Sequence, residues 1–466
     1  MMLSEIAKAV NGQLLGDDIE LKNIGTDSRN IVKNQLFIAI KGENFDGNTF
    51  ACEAIKQGAA AVVVSDANSS ARPAVLVKEA RLALGALAKY WRNQFELPLV
   101  AVTGSNGKTT VKEMMVAILH AANKNVLATQ GNLNNDIGMP MTLLNLHKKH
   151  DIAVIEMGMN HLGEIDYLTR IAQPTVAVIN NAGTAHIGEL GSRENIAIAK
   201  GEIFSGLADG GTAVINADDE FADYWKLLNK HKKVITFGLN EFGINKPAEV
   251  SATFAEKDDL TEVELTTPNG KVSFNLAMLG KHNVSNALAA SACAVALGIS
   301  NADIASGLGN MQAVYGRLQR KAGFNGAVLI DDTYNANPDS MKAAIDVLAV
   351  HKNSIFVMGD MAELGEDAPR MHADIGLYAK QKGIGQFFAF GDLSVKASLA
   401  FGNNAQHFDS LENLVSALKN QMKQGVTVLV KGSRFMQMER VVNKILEETL
   451  QETLEKTRQR EKTQCC

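Results

Sequence analysis

Apolar and polar positions change period repeatedly along this chain, and the changes predict strands alternating with helices. The pattern is clearest in LPLVAVTGSNGKTTVKEMMVAIL, Leu97 to Leu119. Leu99, Val100 and Val102 form an apolar run the length of one buried strand, and Val111, Met114, Met115, Ile118, Leu119 and Ala122 then recur at helical spacing. IAVIEMGMN and TVAVINN read as further buried strands with helical periods between them, which predicts a doubly wound, mostly parallel sheet. Period-two alternation on both sides of Asn269-Gly270 predicts a hairpin, and the Ala-rich GKHNVSNALAASACAVALG predicts a helix stopping at Gly298. GAVLIDD, SIFVMGD, QFFAF and VTVLVKG read as strands of another unit, in which Pro338 opens a helix. Upstream, QLFIAI is a strand and the stretch from about Glu79 to Phe95 a helix.

The expected fold class is therefore α/β in three domains. A smaller α/β domain spans 1–84, a central domain with the phosphate loop spans 85–312, and a Rossmann-like α/β domain spans 313–448. The segment Gln312 to Gly316 is the expected hinge, and 449–466 is a charged tail, read as frayed helix or disorder. There is no internal repeat.

The 466 residues suffice for about three domains, and a composition 46% hydrophobic and 21% charged is that of a soluble protein. A net charge of −5 gives no general attraction to nucleic acid or to anionic membranes, so any phosphate binding must be local. The N-terminus lacks a basic region followed by an apolar run, and no stretch approaches the roughly 18 apolar residues of a membrane span. Four cysteines suggest no disulfide framework; Cys52 and Cys293 read as buried thiols, and Cys465 and Cys466 close the polar tail. The expectation is a cytoplasmic monomer without nucleic-acid partners.

The turn Gly104-Ser105-Asn106-Gly107-Lys108-Thr109-Thr110 joins strand to helix, the setting a phosphate loop requires. Its glycines let the backbone approach an anion, and the helix N-terminus aims free N–H groups at it. Lys108 reaches terminal phosphates and Thr109 is placed to ligate Mg²⁺, although only two residues separate the glycines where four are usual. Glu156 ends a buried strand and His186 lies in the loop after the next one, so both are candidate metal ligands or structural groups. In the helix after Ser192, Ile196, Ile203, Phe204 and Leu207 make the apolar face, and Lys200 falls on it. Lys200 either snorkels to solvent or is a buried amine with a lowered pKa. Asn283 and Asn286 read an adenine edge or cap a helix. Asp27, Ser28 and Arg29 suit a sugar nucleotide, or make a polar turn. Asp332, Tyr334, Asn335 and Asn337 cluster after the first strand of the third domain.

TDSR, the DG of ENFDGNTF, TGSNGKTT, GNLNNDIGMP, EMG, AHIG, AKGEIF, GKHNVSNALAA, YGR, DDTYNANPDSM and VMGDMAELG occur in an order and spacing that resembles the Mur ligases, over about residues 20 to 445. These are ATP-dependent amide-forming enzymes that build the peptide stem of peptidoglycan. YNANPDSM and LVKGSR look like the branch that adds D-alanyl-D-alanine to UDP-N-acetylmuramoyl-tripeptide, and the DNPR signature of the preceding ligase is missing. The resemblance implies that Gly104 to Thr110 and Lys108 bind ATP, with Asn283, Asn286, Arg317 and Asp332 at the nucleotide. It implies two Mg²⁺, held by Thr109, Glu156 and His186, with Lys200 carbamylated by CO₂ beside the second. Asp27, Ser28, Arg29, Asp46, Asn134 and Asn135 would face the UDP-sugar, and Tyr334, Asn335, Lys431 and Arg434 the D-alanyl-D-alanine. The competing expectations are a ligase with another amine substrate, a P-loop hydrolase or kinase, and a nucleotide-binding scaffold without turnover.

Overall fold

A computed structural model describes residues 1–240, 247–257 and 260–464. Cys465 and Cys466 lie outside the described residues.

The central sheet has six strands, in the order Lys233–Phe237, Thr212–Asn216, Val176–Ile179, Leu99–Thr103, Ile152–Glu156 and Val126–Ala128, all pairing in parallel. Leu99–Thr103 comes first in the chain yet sits in the middle. Later strands therefore leave to either side of it, and its carboxyl end is the switch point where such sheets bind ligands. Its alternate residues serve opposite cores. Val100 and Val102 pack under the helices Lys108–Ala121 and Lys281–Ala296, while Leu99 and Ala101 face Ile165, Ile196 and Trp225. The hairpin strands Leu260–Thr267 and Gly270–Leu276 pair as expected and belong to a three-stranded sheet covering the first of these cores.

The C-terminal sheet runs Gln319–Ala322, Val328–Asp332, Val426–Lys431, Asn353–Gly359, Gln386–Phe390 and Ala405–Phe408, parallel except at its first edge. The four apolar strands are those the periodicity predicts. The two edge strands were not predicted, because Gln319-Arg320-Lys321-Ala322 has no apolar face and Ala405–Phe408 is short. In the N-terminal sheet, Asn23–Gly25, Gln35–Ile38, Ala61–Val64 and Ala74–Leu76 pair in parallel, and Gln13–Leu15 closes the edge antiparallel.

Three details correct the sequence reading. Cys52 is exposed on its helix, and only Cys293 is the buried thiol that was expected of both. The C-terminal tail continues one helix, Glu439–Gln464, because Val441, Val442 and Ile445 anchor its start in the core and the following Glu, Leu, Lys and Gln residues propagate it. The helix Ala80–Arg92 runs through the expected 84/85 boundary: Ala80, Ala83, Leu84 and Leu87 pack on the N-terminal core, and Ala88 on the central one. No helix among the described residues is long and apolar enough to cross a membrane.

The end of that helix is fixed by Arg92, which is buried and has no carboxylate partner among the described residues. It donates to the carbonyls of Ala172 at 3.1 Å, Phe95 at 2.6 Å and Leu97 at 3.1 Å. Arg92→Met keeps the apolar stem and leaves three carbonyls without a donor. We expect it to cost about 2–4 kcal/mol in denaturant unfolding. A midpoint equal to that of the parent protein would show that water replaces the guanidinium.

Candidate active site

The phosphate loop leaves the central strand at the switch point. Gly104 and Gly107 have positive φ, at 155° and 79°. A side chain on Gly107, the N-cap of the Lys108–Ala121 helix, would run into the Asn286 amide. The next strand, Val176–Ile179, delivers two asparagines that hold the loop open. Ser105 N donates to Asn181 O at 2.9 Å, Asn106 N to Asn181 Oδ1 at 2.8 Å, and Asn180 Nδ2 to Asn106 O at 2.8 Å. Lys108 Nζ turns back onto Gly104 O at 2.7 Å, and burial lowers its pKa. The result is a cradle of backbone N–H groups with a lysine across its mouth, the chemistry of polyphosphate binding.

Beside it, the buried Glu156 ends the neighbouring strand. Its Oε2 accepts from Thr109 Oγ1 at 2.9 Å, and its Oε1 from Asn134 Nδ2 at 2.7 Å. Arg317 Nη2, from the C-terminal domain, donates to Thr109 Oγ1 at 3.0 Å, and its guanidinium lies 4.3 Å from the centre of the Tyr334 ring. A hydroxyl and a carboxylate are hard oxygen donors that fit Mg²⁺. Among the described residues no three His, Cys, Asp or Glu side chains converge. A donor set this sparse also suits Mg²⁺, which keeps waters and substrate phosphates as most of its ligands.

Lys200 lies on the helix Arg193–Gly201, which Ser192 caps by accepting from Asn195 N at 3.2 Å. The lysine is 1% exposed, so it does not snorkel. Desolvation, then the neighbouring positive charge of Lys108, hold its pKa well below the ordinary lysine value. The Lys200 amine is therefore easier to deprotonate than an ordinary lysine, and it lies within electrostatic reach of Lys108 in the phosphate loop. His186 Nδ1 lies 2.9 Å from Glu363 Oε2 of the C-terminal domain.

Two cavities, of about 810 and 660 Å³, share the wall formed by Asn106, Gly107, Arg317, Asp332 and Lys431. Asn283 and Asn286 line the larger, where Asn286 Oδ1 accepts from Asn180 Nδ2 at 2.8 Å and Asn286 Nδ2 donates to Asn283 Oδ1 at 3.3 Å. His282 lines it too, and burial pushes its pKa down to about 4. The smaller cavity holds Lys108, Thr109, Asn134, Asn135, Glu156, His186, Tyr334, Asn335 and Arg434. Asp332 and Lys431 end adjacent parallel strands and pair at 2.7 Å; Lys431 Nζ also donates to Asn335 O at 2.9 Å.

The remaining residues singled out in the sequence are elsewhere. Asp27, Ser28 and Arg29 follow the strand Asn23–Gly25, and Asp46 lies beyond its parallel neighbour Gln35–Ile38, so both loops leave one edge of the N-terminal sheet. Arg29 grips Asp27 at 2.9 Å and holds its carboxyl down to about 2. Asp46 accepts from Asn48 N at 3.0 Å and caps a turn. Asn135, which lines the smaller cavity, also caps its own turn by accepting from Gly138 N at 2.8 Å.

Sequence reasoning gave no function to the groups that dock the C-terminal domain. Asn337 Nδ2 donates to Asn106 Oδ1 at 2.7 Å, and the Asp339 carboxylate accepts from Thr184 N at 2.7 Å and Thr184 Oγ1 at 2.9 Å. Asn180 and Asn181 had a signal: paired amides directly after an apolar strand. Glu363 had none.

The chain matches three family models: "Mur ligase family, catalytic domain" over residues 20–92, "Mur ligase middle domain" over 102–294, and "Mur ligase, glutamate ligase domain" over 316–434. It is 42% identical to a UDP-N-acetylmuramoyl-tripeptide--D-alanyl-D-alanine ligase of Escherichia coli, an alignment covering 96% of this chain and 98% of the relative. It is 36% identical to the protein so named in Bacillus subtilis, with the same shares covered. Among solved structures, MurF from Acinetobacter baumannii superposes with a TM-score of 0.89 at 37% identity, over 95% of this chain and 98% of that one. MurF from Thermotoga maritima in complex with ADP gives 0.82 at 27% identity, over 92% and 98%. With its motifs, sheet order and phosphate loop all in agreement with these matches, the chain belongs to the Mur ligase family.

Proposed function

We propose that this protein is an ATP-dependent peptide ligase that joins D-alanyl-D-alanine to UDP-N-acetylmuramoyl-tripeptide, forming ADP and phosphate in peptidoglycan precursor synthesis. One observation carries the reading. A phosphate loop bearing Lys108 and a Thr109–Glu156 pair opens into a cavity whose other wall, with Arg317, Tyr334 and Lys431, comes from a second domain. The printed names of the relatives supply the substrates.

The chemistry follows from what a carboxylate lacks. Its leaving group would be oxide, so it does not acylate amines at neutral pH. Phosphoryl transfer from ATP converts one oxygen into a phosphate leaving group, the dipeptide amine then attacks the carbonyl, and phosphate departs from the tetrahedral intermediate. Lys108 and the loop N–H groups hold the β- and γ-phosphates and stabilise the charge that spreads over the transferring group. Thr109 and Glu156 would hold one Mg²⁺ and His186 a second, and these ions would supply charge neutralisation between two anionic reactants. Lys200 reacts as the free amine with CO₂. The carbamate, formed with release of a proton, would place an anion on the side of the second metal. Asn283 and Asn286 face the base, with Arg317 on the phosphates and Asp332 at the ribose. Asp27, Ser28, Arg29 and Asp46 hold the UDP-sugar, with Asn134 and Asn135 nearer the reacting carboxylate. Tyr334, Asn335, Lys431 and Arg434 receive D-alanyl-D-alanine. The enzyme acts as a cytoplasmic monomer.

Phosphate release from ATP is expected only when both UDP-N-acetylmuramoyl-tripeptide and D-alanyl-D-alanine are present, as measured by a coupled phosphate assay. Equal release with ATP alone would make the protein a hydrolase. Release with a different amine in place of the dipeptide would make it a related ligase.

Lys200→Ala removes the carbamate together with a large, fully buried side chain. We expect kcat to fall about 100-fold or more, the melting temperature to drop with the cavity left behind, and a short carboxylic acid to restore part of the rate. Parent-like turnover of this variant without added acid would make Lys200 a packing residue.

A further inference from the structure

On the proposed ligase reading, we infer that Glu363 is a positioning residue for His186, and that it makes the metal site competent only when the C-terminal domain has closed. The two side chains come from different sheets: His186 follows the strand Val176–Ile179, and Glu363 follows Asn353–Gly359. Both backbones are left-handed, with φ of 64° at His186 and 63° at Glu363, although neither residue is glycine. Such backbone persists where the surroundings fix it, and it clusters at functional sites. The surroundings here are specific. Gly188 N donates to Glu363 O at 3.1 Å, and a side chain on Gly188 would meet Gly365 N at 2.6 Å, so the two loops touch backbone to backbone. This contact sets Glu363 Oε2 2.9 Å from His186 Nδ1, within the cavity that also holds Lys108, Thr109 and Glu156.

The consequence is chemical. Glu363 Oε2 against Nδ1, with the Gly188–Glu363 backbone contact behind it, confines the ring and leaves Nε2 as the nitrogen open to a metal. Glu156 is held from within the central domain by Thr109 and Asn134, whereas Thr109 and Asn106 also accept from Arg317 and Asn337 of the C-terminal domain. His186 is held from across the domain interface. Phosphoryl transfer in an open molecule, where water would intercept the activated carboxylate, is thereby disfavoured.

The test uses the full chain with Glu363→Ala and Glu363→Gln, the latter keeping an acceptor oxygen of the same reach. Mn²⁺ binding, read by electron paramagnetic resonance with a non-hydrolysable ATP analogue, is expected to weaken about 10–100-fold in the alanine variant and to return largely in the glutamine one. In the ligation assay the alanine variant should lose kcat, with KM for ATP and for D-alanyl-D-alanine unchanged within about twofold. X-ray scattering should show the same compaction with ligands as the parent protein. Parent-like Mn²⁺ affinity and kcat in Glu363→Ala would overturn the inference. So would lost compaction with unchanged Mn²⁺ affinity, which would make Glu363 a latch. A failure of the ligase reading would appear separately, as a parent protein that binds Mn²⁺ and nucleotide but forms no product.

Discussion

A carboxylate and a triphosphate repel each other, and the cleft between the central and C-terminal domains is organised against that repulsion. Two unit charges 4 Å apart oppose each other by about 4 kcal/mol at an effective dielectric constant of 20. The loop N–H groups, Lys108, Arg317 and a Thr109–Glu156 pair suited to Mg²⁺ are set around the point of approach. Burial, outweighing the attraction of Glu156, lowers the pKa of Lys108. Lys200, 1% exposed, is held well below the ordinary lysine pKa by desolvation, and on the proposed reading a carbamate there would carry charge of the other sign.

No single domain completes the site. The central sheet supplies the loop and Glu156 from strands on neighbouring tracks, which fixes their spacing to the inter-strand distance. The C-terminal sheet brings Asp332 and Lys431 on adjacent parallel strands to the same wall. Polar contacts joining the two include Asn337 on Asn106, Asp339 on Thr184, Arg317 on Thr109 and Glu363 on His186, and Ile187 of the central domain packs on the C-terminal core. The Gln312 to Gly316 segment lies where the chain crosses between the domains.

What was legible in the sequence follows from local physics. The phosphate loop announces itself because glycine, lysine and threonine must stand at a strand-to-helix turn, and the burial of Lys200 follows from its place between Ile196 and Ile203 on one helical face. The resemblance rested on such local motifs, and it reached the family. The docking residues were not legible as such, since Asn337 and Asn106 stand 231 positions apart and no periodicity couples them. The edge strand Gln319–Ala322 was missed because an edge exposed to water needs no apolar face. Cys52 was misplaced since an apolar neighbourhood in sequence did not say which side of a short helix faces out. The tail was read as frayed because charge hid the three buried anchors at its start.

The most direct test of the account follows an atom. With oxygen-18 in the terminal carboxylate of the tripeptide, ATP and D-alanyl-D-alanine, mass spectrometry of the released phosphate should find one labelled oxygen for each amide formed, carried over when the acyl phosphate collapses. Phosphate without label, alongside normal product, would mean that the carboxylate is never phosphorylated, and the account of the cleft would be wrong.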